Sequence, residues 1–416
     1  MPNTWYKVDN VAKVFLATLN RRDPRCFRVS CTLTEPVDPT LLDAALQRTA
    51  REFPNFQVTL HRGLFWHYLE STNKKPILEA EDKPPCAALY GPDLKNELLY
   101  RVSYYLNRIN VEMFHVLSDG NGGMVFLKAL VLNYLQLRYP DALRGVTRLE
   151  GASAADLTQD SFRQFYTGGN PKPELKRRTV RIHGIHLPYD QTQFFEAHLN
   201  TKQVLARSRA LGVSLTSYLC ALQLCALYKE VPALQRGRPL AIALPVNLRN
   251  YFPSETARNF FNSVRVEYVF TGKETPEDVA RAFDASLKAE LSEDAVRARM
   301  DGFEKLEHIP IIKPVPLIIK NWVVGLVTKT QARRVTATFS NMGRIAVPEE
   351  LSPYIEGFNA FCSTPNLFTV VCSYGDDLVL GSASTYRSTN VLKSFYRSLA
   401  AAGLDVTLYA TEVYNQ

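Results

Sequence analysis

The chain has 416 residues, 46% of them hydrophobic, which excludes a disordered protein and a small disulfide-stapled one and suggests two domains of about 200 residues each. Its formal charge of +8 favours anionic partners, but no nucleic-acid-binding motif accompanies it, so a nucleotide-bearing or phosphorylated ligand fits better than DNA or RNA. Seven cysteines, Cys26, Cys31, Cys86, Cys220, Cys225, Cys362 and Cys372, show no metal-ligand spacing and read as reduced core thiols of a cytoplasmic protein.

Residues 1–10 lack the basic segment and apolar core of a secretory signal. Phe27, Val29, Cys31 and Leu33 alternate as a strand, after which Asp38 caps and Pro39 opens a helix with Leu42, Ala45, Leu46, Thr49 and Phe53 on one face. Pro54 ends it. Residues 55–60 and 64–70 read as a hairpin turning at His61, Arg62 and Gly63, which makes His61 and His67 sheet or surface residues. A second hairpin joins 99–106 to 109–115.

That hairpin leads into Phe114-His115-Val116-Leu117-Ser118-Asp119-Gly120, where the chain names a chemistry. Ile109, Val111 and Met113 alternate with Asn110 and Glu112, as a half-buried strand requires, so His115 falls on the apolar face. Ser118 and Asp119 offer helix-capping oxygens, Gly120, Gly122 and Gly123 allow a tight turn, and 124–137 is apolar almost all round, as in a buried helix. The three fixed residues of His-x-x-x-Asp-Gly suit a core histidine beside a helix cap as well as a histidine presented for catalysis.

From 139 to about 181 no period persists, and a basic run over 172–181 reads as a solvated connection or an anion contact. The expected domains are therefore 1–180 and 181–416. His183 and His186 lie in this connection without a third ligand, so no metal site is expected. Beyond it, 194–199 reads as a strand, 201–211 as a helix stopped by Gly212, and Ser214 caps another carrying Tyr218, Leu219, Leu222 and Cys225. Residues 240–246 form a strand running into Asn247, Leu248 and Arg249; Val264, Val266 and Tyr268 mark another; and Thr275-Pro276 starts a helix reaching Leu291. The most hydrophobic stretch, 309–327, holds Lys313, Lys320 and three prolines. A lysine at a bilayer centre costs about 2.5–3.5 kcal/mol, so no spanning helix is expected, while an interfacial helix over 317–327 stays open. A strand over 335–339 precedes a turn at Ser340-Asn341-Met342-Gly343, strands at 367–374 and 378–385 meet at Gly375, and a final helix carries Leu392, Phe395 and Leu399. Strands and helices mix without a βαβ rhythm, which points to α+β sandwiches rather than a doubly wound sheet.

This order of elements resembles the CoA-dependent acyltransferase superfamily, which includes chloramphenicol acetyltransferase, plant BAHD acyltransferases, alcohol acetyltransferases and the condensation domains of peptide synthetases. The Asp38-Pro39 helix and Glu52-Phe53-Pro54 are similar to its opening, and 114–120 resembles its His-x-x-x-Asp-Gly signature. Leu211-Gly212-Val213-Ser214-Leu215 resembles its two-helix junction. Pro245-Val246-Asn247-Leu248-Arg249 and Asn259-Phe260-Phe261-Asn262 resemble its arginine motif and asparagine turn, and Ser340-Asn341-Met342-Gly343 a turn of the bacterial alcohol acetyltransferase branch. Condensation domains usually carry two adjacent histidines, and Phe114 replaces the first.

The resemblance implies two chloramphenicol-acetyltransferase-like sandwich domains with a substrate tunnel between them. It implies acyl-CoA as co-substrate, no permanently bound cofactor, and an alcohol or amine acceptor. His115 is then the general base, Asp119 and Arg249 a supporting bidentate pair, and Ser340 or Asn341 an oxyanion donor, although that pair also reads as a turn that simply closes a strand. Two other readings remain: a condensation enzyme with carrier-protein donors, and a non-catalytic binding protein on the same fold.

Overall fold

The computed structural model describes residues 4–411 apart from 92, 93, 95, 149–156, 170–176, 190 and 306–313, so the first half of the basic run over 172–181 lies outside the described residues. The first half contains β1 (Trp5–Lys7), α1 (Asn10–Thr18), β2 (Cys26–Leu33), α2 (Pro39–Glu52), β3 (Val58–Arg62), β4 (His67–Ser71), β5 (Leu78–Ala80), β6 (Tyr100–Tyr105), β7 (Arg108–Phe114), α3 (Gly120–Arg138) and α4 (Ser161–Phe165). Then come β8 (Gln193–Asn200), α5 (Thr201–Ala210), α6 (Leu215–Lys229), β9 (Leu240–Asn247), β10 (Phe261–Tyr268), α7 (Pro276–Glu290), α8 (Glu293–Glu304) and α9 (Leu317–Ala332). The chain closes with β11 (Ala337–Arg344), β12 (Ile355–Cys362), β13 (Leu367–Tyr374), β14 (Asp377–Ser384), α10 (Asn390–Ala401) and β15 (Val406–Ala410).

Two large sheets carry the fold: a five-stranded one ordered β12-β2-β7-β6-β5 and a seven-stranded one ordered β10-β9-β11-β13-β14-β8-β15. Both mix parallel and antiparallel pairs, because β5 runs parallel to β6, and β11 runs parallel to β9 and β13. A small β1-β4-β3 sheet stands apart. Helices α2 and α3 pack together beside β2 and β7, while α6, α7 and α10 group beside β9 and β10. The result is the expected α+β layout, two sheets each with its own helical layer and hydrophobic core.

Sheet membership does not follow the chain's midpoint. Strand β12, from beyond residue 350, pairs antiparallel with β2 in the first sheet. Its sequence, Ile355-Glu356-Gly357-Phe358-Asn359-Ala360-Phe361-Cys362, lacks polar alternation because nearly all of it is buried between two sheets, so no strand was legible there. Close approach to β14 depends on Gly381, where a Cβ would come within 2.0 Å of the Ala360 carbonyl oxygen. Helices α1 and α8 likewise escaped the sequence reading, the first behind an Asp9 cap. Ser340 to Gly343 are not a turn but part of β11, where the register skips between Asn341 and Gly343 and Gly343 adopts φ 76°. The first hairpin turns beyond Arg62, so His61 lies within β3.

Strand β7 also corrects its expected half-burial. Asn110 and Glu112 are buried, Glu112 by ion pairs with Arg28 and Arg101 and by the Cys86 N–H at 2.6 Å, and Asn110 by the Ser30 hydroxyl at 2.8 Å. Period-two polarity here marks an internal ionic layer under the loop that carries Cys86, not a face in water.

The two sheets are clasped by charge. Arg108 of β7 forks onto both Glu196 oxygens of β8 at 2.8 Å, and His198 bonds Glu196 at 3.0 Å and Asp377 at 2.9 Å. Asn359 of β12 donates to the same glutamate. Burial by itself would lower the His198 pKa, but its two carboxylate partners outweigh burial and raise it to about 9. A raised folded-state pKa contributes stability that is complete below the unfolded value of 6.5 and is lost as pH rises through about 9. His198→Gln should therefore lower Tm most near pH 6, with the gap to the parent closing towards pH 10, as thermal melts across that range would show. A gap independent of pH would remove His198 from the clasp.

Candidate active site

Strand β7 ends at Phe114, which stacks on Tyr90 at 5.6 Å, and His115 follows with its backbone held from both halves of the chain. Its N–H donates to the Arg25 carbonyl at 2.8 Å, and its carbonyl accepts from Asn259 Nδ2 at 2.8 Å. Arg25 adopts φ 55°, a left-handed conformation that costs a non-glycine residue about 1–2 kcal/mol. Its turn is secured by Asp23, which accepts from the Arg25 N–H at 3.1 Å and from the Ser363 hydroxyl at 2.7 Å, just past β12.

The imidazole sits among Phe15 and Phe27, each 4.7 Å between ring centres, and Phe261 at 6.2 Å. Nδ1 lies 3.2 Å from the Ser118 carbonyl oxygen, which accepts only, so Nδ1 carries the proton and Nε2 the lone pair. Nε2 faces Cys362 Sγ at 3.7 Å. Burial pushes the His115 pKa down to about 4, against the opposing pull of Asp119, so the ring is neutral at physiological pH.

Asp119 faces the second half of the chain. One oxygen caps α3 by accepting from Gly122 N at 3.0 Å, and the other accepts from Arg249 Nη1 and Phe260 N, both at 2.8 Å. The Arg249 contact is single, not the bidentate fork that the resemblance implied. The remaining guanidinium N–H groups bond the Thr256 carbonyl at 3.0 and 2.8 Å, the Arg258 carbonyl at 2.7 Å and Asn247 Oδ1 at 3.1 Å. Arg249 thus shapes the 256–260 loop while it neutralises Asp119.

Ser118 is not a helix cap, since its hydroxyl donates to the Ala257 carbonyl at 2.6 Å. The glycines answer packing rather than a turn: a Cβ on Gly122 would meet the Ala257 oxygen at 2.3 Å, and one on Gly123 the Phe27 ring at 2.5 Å.

The β11 residues stand differently. Exposed Asn341 donates to the Thr216 hydroxyl at 2.8 Å and accepts from Gly343 N at 2.7 Å, while Ser340 is half-buried. Neither shares a recorded hydrogen bond with His115. His183 pairs with Gln235 at 3.1 Å, and His186 stacks on Tyr386 at 4.4 Å, both away from this centre. Sequence reasoning missed Asp9, Phe15 and Cys362. Buried Asp9 caps α1 and accepts from Asn259 Nδ2 at 3.1 Å, which joins the N-terminal helix to the residue holding the His115 carbonyl. Its cap pattern was the one visible signal.

Removing either Asp119 or Arg249 strands a buried charge, at about 3–5 kcal/mol for a fully buried pair. Asp119→Ala and Arg249→Ala should each lower stability and activity, and the double variant should be far less destabilised than the sum of the two. Urea unfolding of the four proteins measures the coupling, and strict additivity would show that the contact carries none.

The family profile described as phthiocerol/phthiodiolone dimycocerosyl transferase C-terminus matches residues 190–353. No curated protein sequence matches the chain. Among solved structures, the TRI3 trichothecene 15-O-acetyltransferase of Fusarium sporotrichioides is similar at 12% identity, with a TM-score of 0.63 over 96% of this chain and 95% of that one. TRI101 of F. graminearum, crystallised with coenzyme A and deoxynivalenol, is similar at 11% identity and TM-score 0.64 over 96% and 97%. The first condensation domain of the CDA synthetase is similar at 14% identity and TM-score 0.62 over 95% of each chain. At such identities the likeness is one of fold, and the fold of this chain is that of the CoA-dependent acyltransferase superfamily.

Proposed function

We propose that the protein is an acyltransferase that moves an acyl group from a CoA thioester to a small alcohol or amine, with His115 as general base. The observation that carries this reading is the neutral imidazole, whose proton is held on Nδ1 by the Ser118 carbonyl and whose Nε2 lone pair meets the weak thiol donor of Cys362 at 3.7 Å, which a hydroxyl or amine acceptor would outcompete. In the proposed reaction the acceptor oxygen or nitrogen bonds to the thioester carbonyl carbon as its proton passes to Nε2. The tetrahedral oxyanion then collapses, the carbon–sulfur bond breaks, and the departing thiolate takes the proton back.

We assign oxyanion stabilisation to Ser340, because Thr216 and the Gly343 N–H already fix the Asn341 side chain through one N–H and its carbonyl oxygen. Asp119 and Arg249 act as positioning residues, since their hydrogen bonds go to the α3 start and the 256–260 loop. The CoA donor is supported by the coenzyme A bound to TRI101 and by the positive net charge of this chain. A carrier-protein donor would fit the similarity to the condensation domain, but Phe114 stands where such domains carry their first histidine. Seven free thiols agree with a reducing cytoplasmic compartment.

His115→Ala should lower turnover about a hundred- to ten-thousand-fold and, because the ring packs among Phe15, Phe27 and Phe261, also lower the melting temperature, whereas His115→Gln should lose the activity with a smaller loss of stability. Release of CoA thiol from a panel of acyl-CoAs and acceptors measures it, and near-parental turnover with a verified acceptor would refute the assignment. Because the free-enzyme base titrates at about 4, kcat/KM should stay level from neutral pH down towards about 5 and fall only below that. An acid limb centred on 6.5, the ordinary histidine value, would mean that the working base is an unburied imidazole.

A further inference from the structure

All three tryptophans of the chain are exposed, Trp5 by 64%, Trp66 by 58% and Trp322 by 69%. Trp322 lies on α9, a helix of 16 residues of which only Leu317 is buried. Ile318, Ile319, Trp322, Val323, Leu326 and Val327 form one exposed apolar stripe along it, at the three- and four-residue spacing of a single face. The opposite side rests on α1, with Gly325 against the Ala17 carbonyl. At its N-terminus α9 is pinned to the tip between β3 and β4, where Leu317 N donates to the Leu64 carbonyl at 2.9 Å and Lys320 Nζ to the Phe65 carbonyl at 3.1 Å. That tip extends the apolar surface with Leu64, 71% exposed, and Trp66.

Along the helix and the segment that follows it the charge has one sign. From 314 to 348 the sequence contains no aspartate or glutamate, but it has Lys320, Lys329, Arg333, Arg334 and Arg344. Lys329 and Arg333 are exposed and continue the face of Ile318, Trp322 and Leu326 by helical spacing. A soluble monomer rarely keeps so continuous an apolar stripe in water. The helix is too short to span a bilayer, which needs about 20 residues. Apolar stripe, tryptophans at its edge and a basic end match a helix lying in the plane of a lipid interface.

We propose that α9 and the Leu64–Trp66 tip are a docking surface for the anionic face of a phospholipid membrane. Negative headgroups would meet Lys329 and Arg333 while Trp322, Leu326 and Ile318 enter the acyl boundary. A second copy of the chain would bring the same acid-free, basic helix to the contact, so charge favours the lipid. The proposal is independent of the acyl-transfer reading.

The test is co-sedimentation of the full chain with vesicles of phosphatidylcholine alone or with about a third phosphatidylglycerol, at low and high salt, with tryptophan emission followed in parallel. The parent should pellet with the anionic vesicles, shift its emission to the blue, and release on raising salt. I318S/W322S/L326S should bind at least tenfold more weakly, and K329E/R333E should lose the preference for anionic lipid, with both variants melting like the parent. Parent protein that stays in the supernatant, or a triple variant that binds like the parent, overturns the proposal. So does a parent that is dimeric in sedimentation velocity and becomes monomeric in the triple variant without binding vesicles, because α9 would then be covered by a second copy.

Discussion

The Asp119 carboxylate is the constraint on which the histidine depends. Its two oxygens take three N–H groups from three places: the first turn of α3, the guanidinium of Arg249 and the backbone of Phe260. A buried carboxylate tolerates the loss of water only when such donors replace it. Satisfying it therefore requires the 256–260 loop to lie against the α3 start, and that contact brings Asn259 to the His115 carbonyl and Ser118 to Ala257. The placing of His115 and the joining of the two halves are one set of hydrogen bonds.

A second set operates around β12. The strand crosses from the second half into the first sheet, passes Gly381 closely enough that no side chain fits there, and ends at Cys362 beside His115 Nε2. Just beyond it, Ser363 secures the turn whose Arg25 carbonyl holds the His115 N–H. The Arg108, Glu196, His198 and Asp377 cluster closes the far end of the same interface. Neither half can thus be displaced without disturbing the histidine's supports.

Burial of His115 sets its chemistry. Aromatic walls remove the water that would stabilise an imidazolium, so the ring stays neutral, and the Ser118 carbonyl selects the tautomer with an accepting Nε2. A more basic but solvated histidine would be partly protonated at neutral pH. The ring combines modest basicity with a fixed orientation, and for the acyl transfer proposed above orientation is the larger contribution.

Local pattern in the sequence determined a good deal. Caps at Asp38, Ser214 and Thr275, the strands of the β6–β7 and β13–β14 hairpins, and the placing of His115 at a strand end before a buried helix all follow from side-chain periodicity and hydrogen bonding within a few residues. Arg249 was singled out only through a resemblance of motifs, since nothing local tells an arginine that a carboxylate 130 positions away will be its partner. Tertiary structure alone decided the rest. Strand β12 carries no alternation because both its faces are buried, Glu112 reads as a surface residue although two arginines bury it, and Ser340 to Gly343 read as a turn although neighbouring strands hold them in a sheet. Phe15 and Cys362 reach the imidazole from opposite ends of the chain, and such proximity arises from packing between elements, which leaves no periodic trace in either segment.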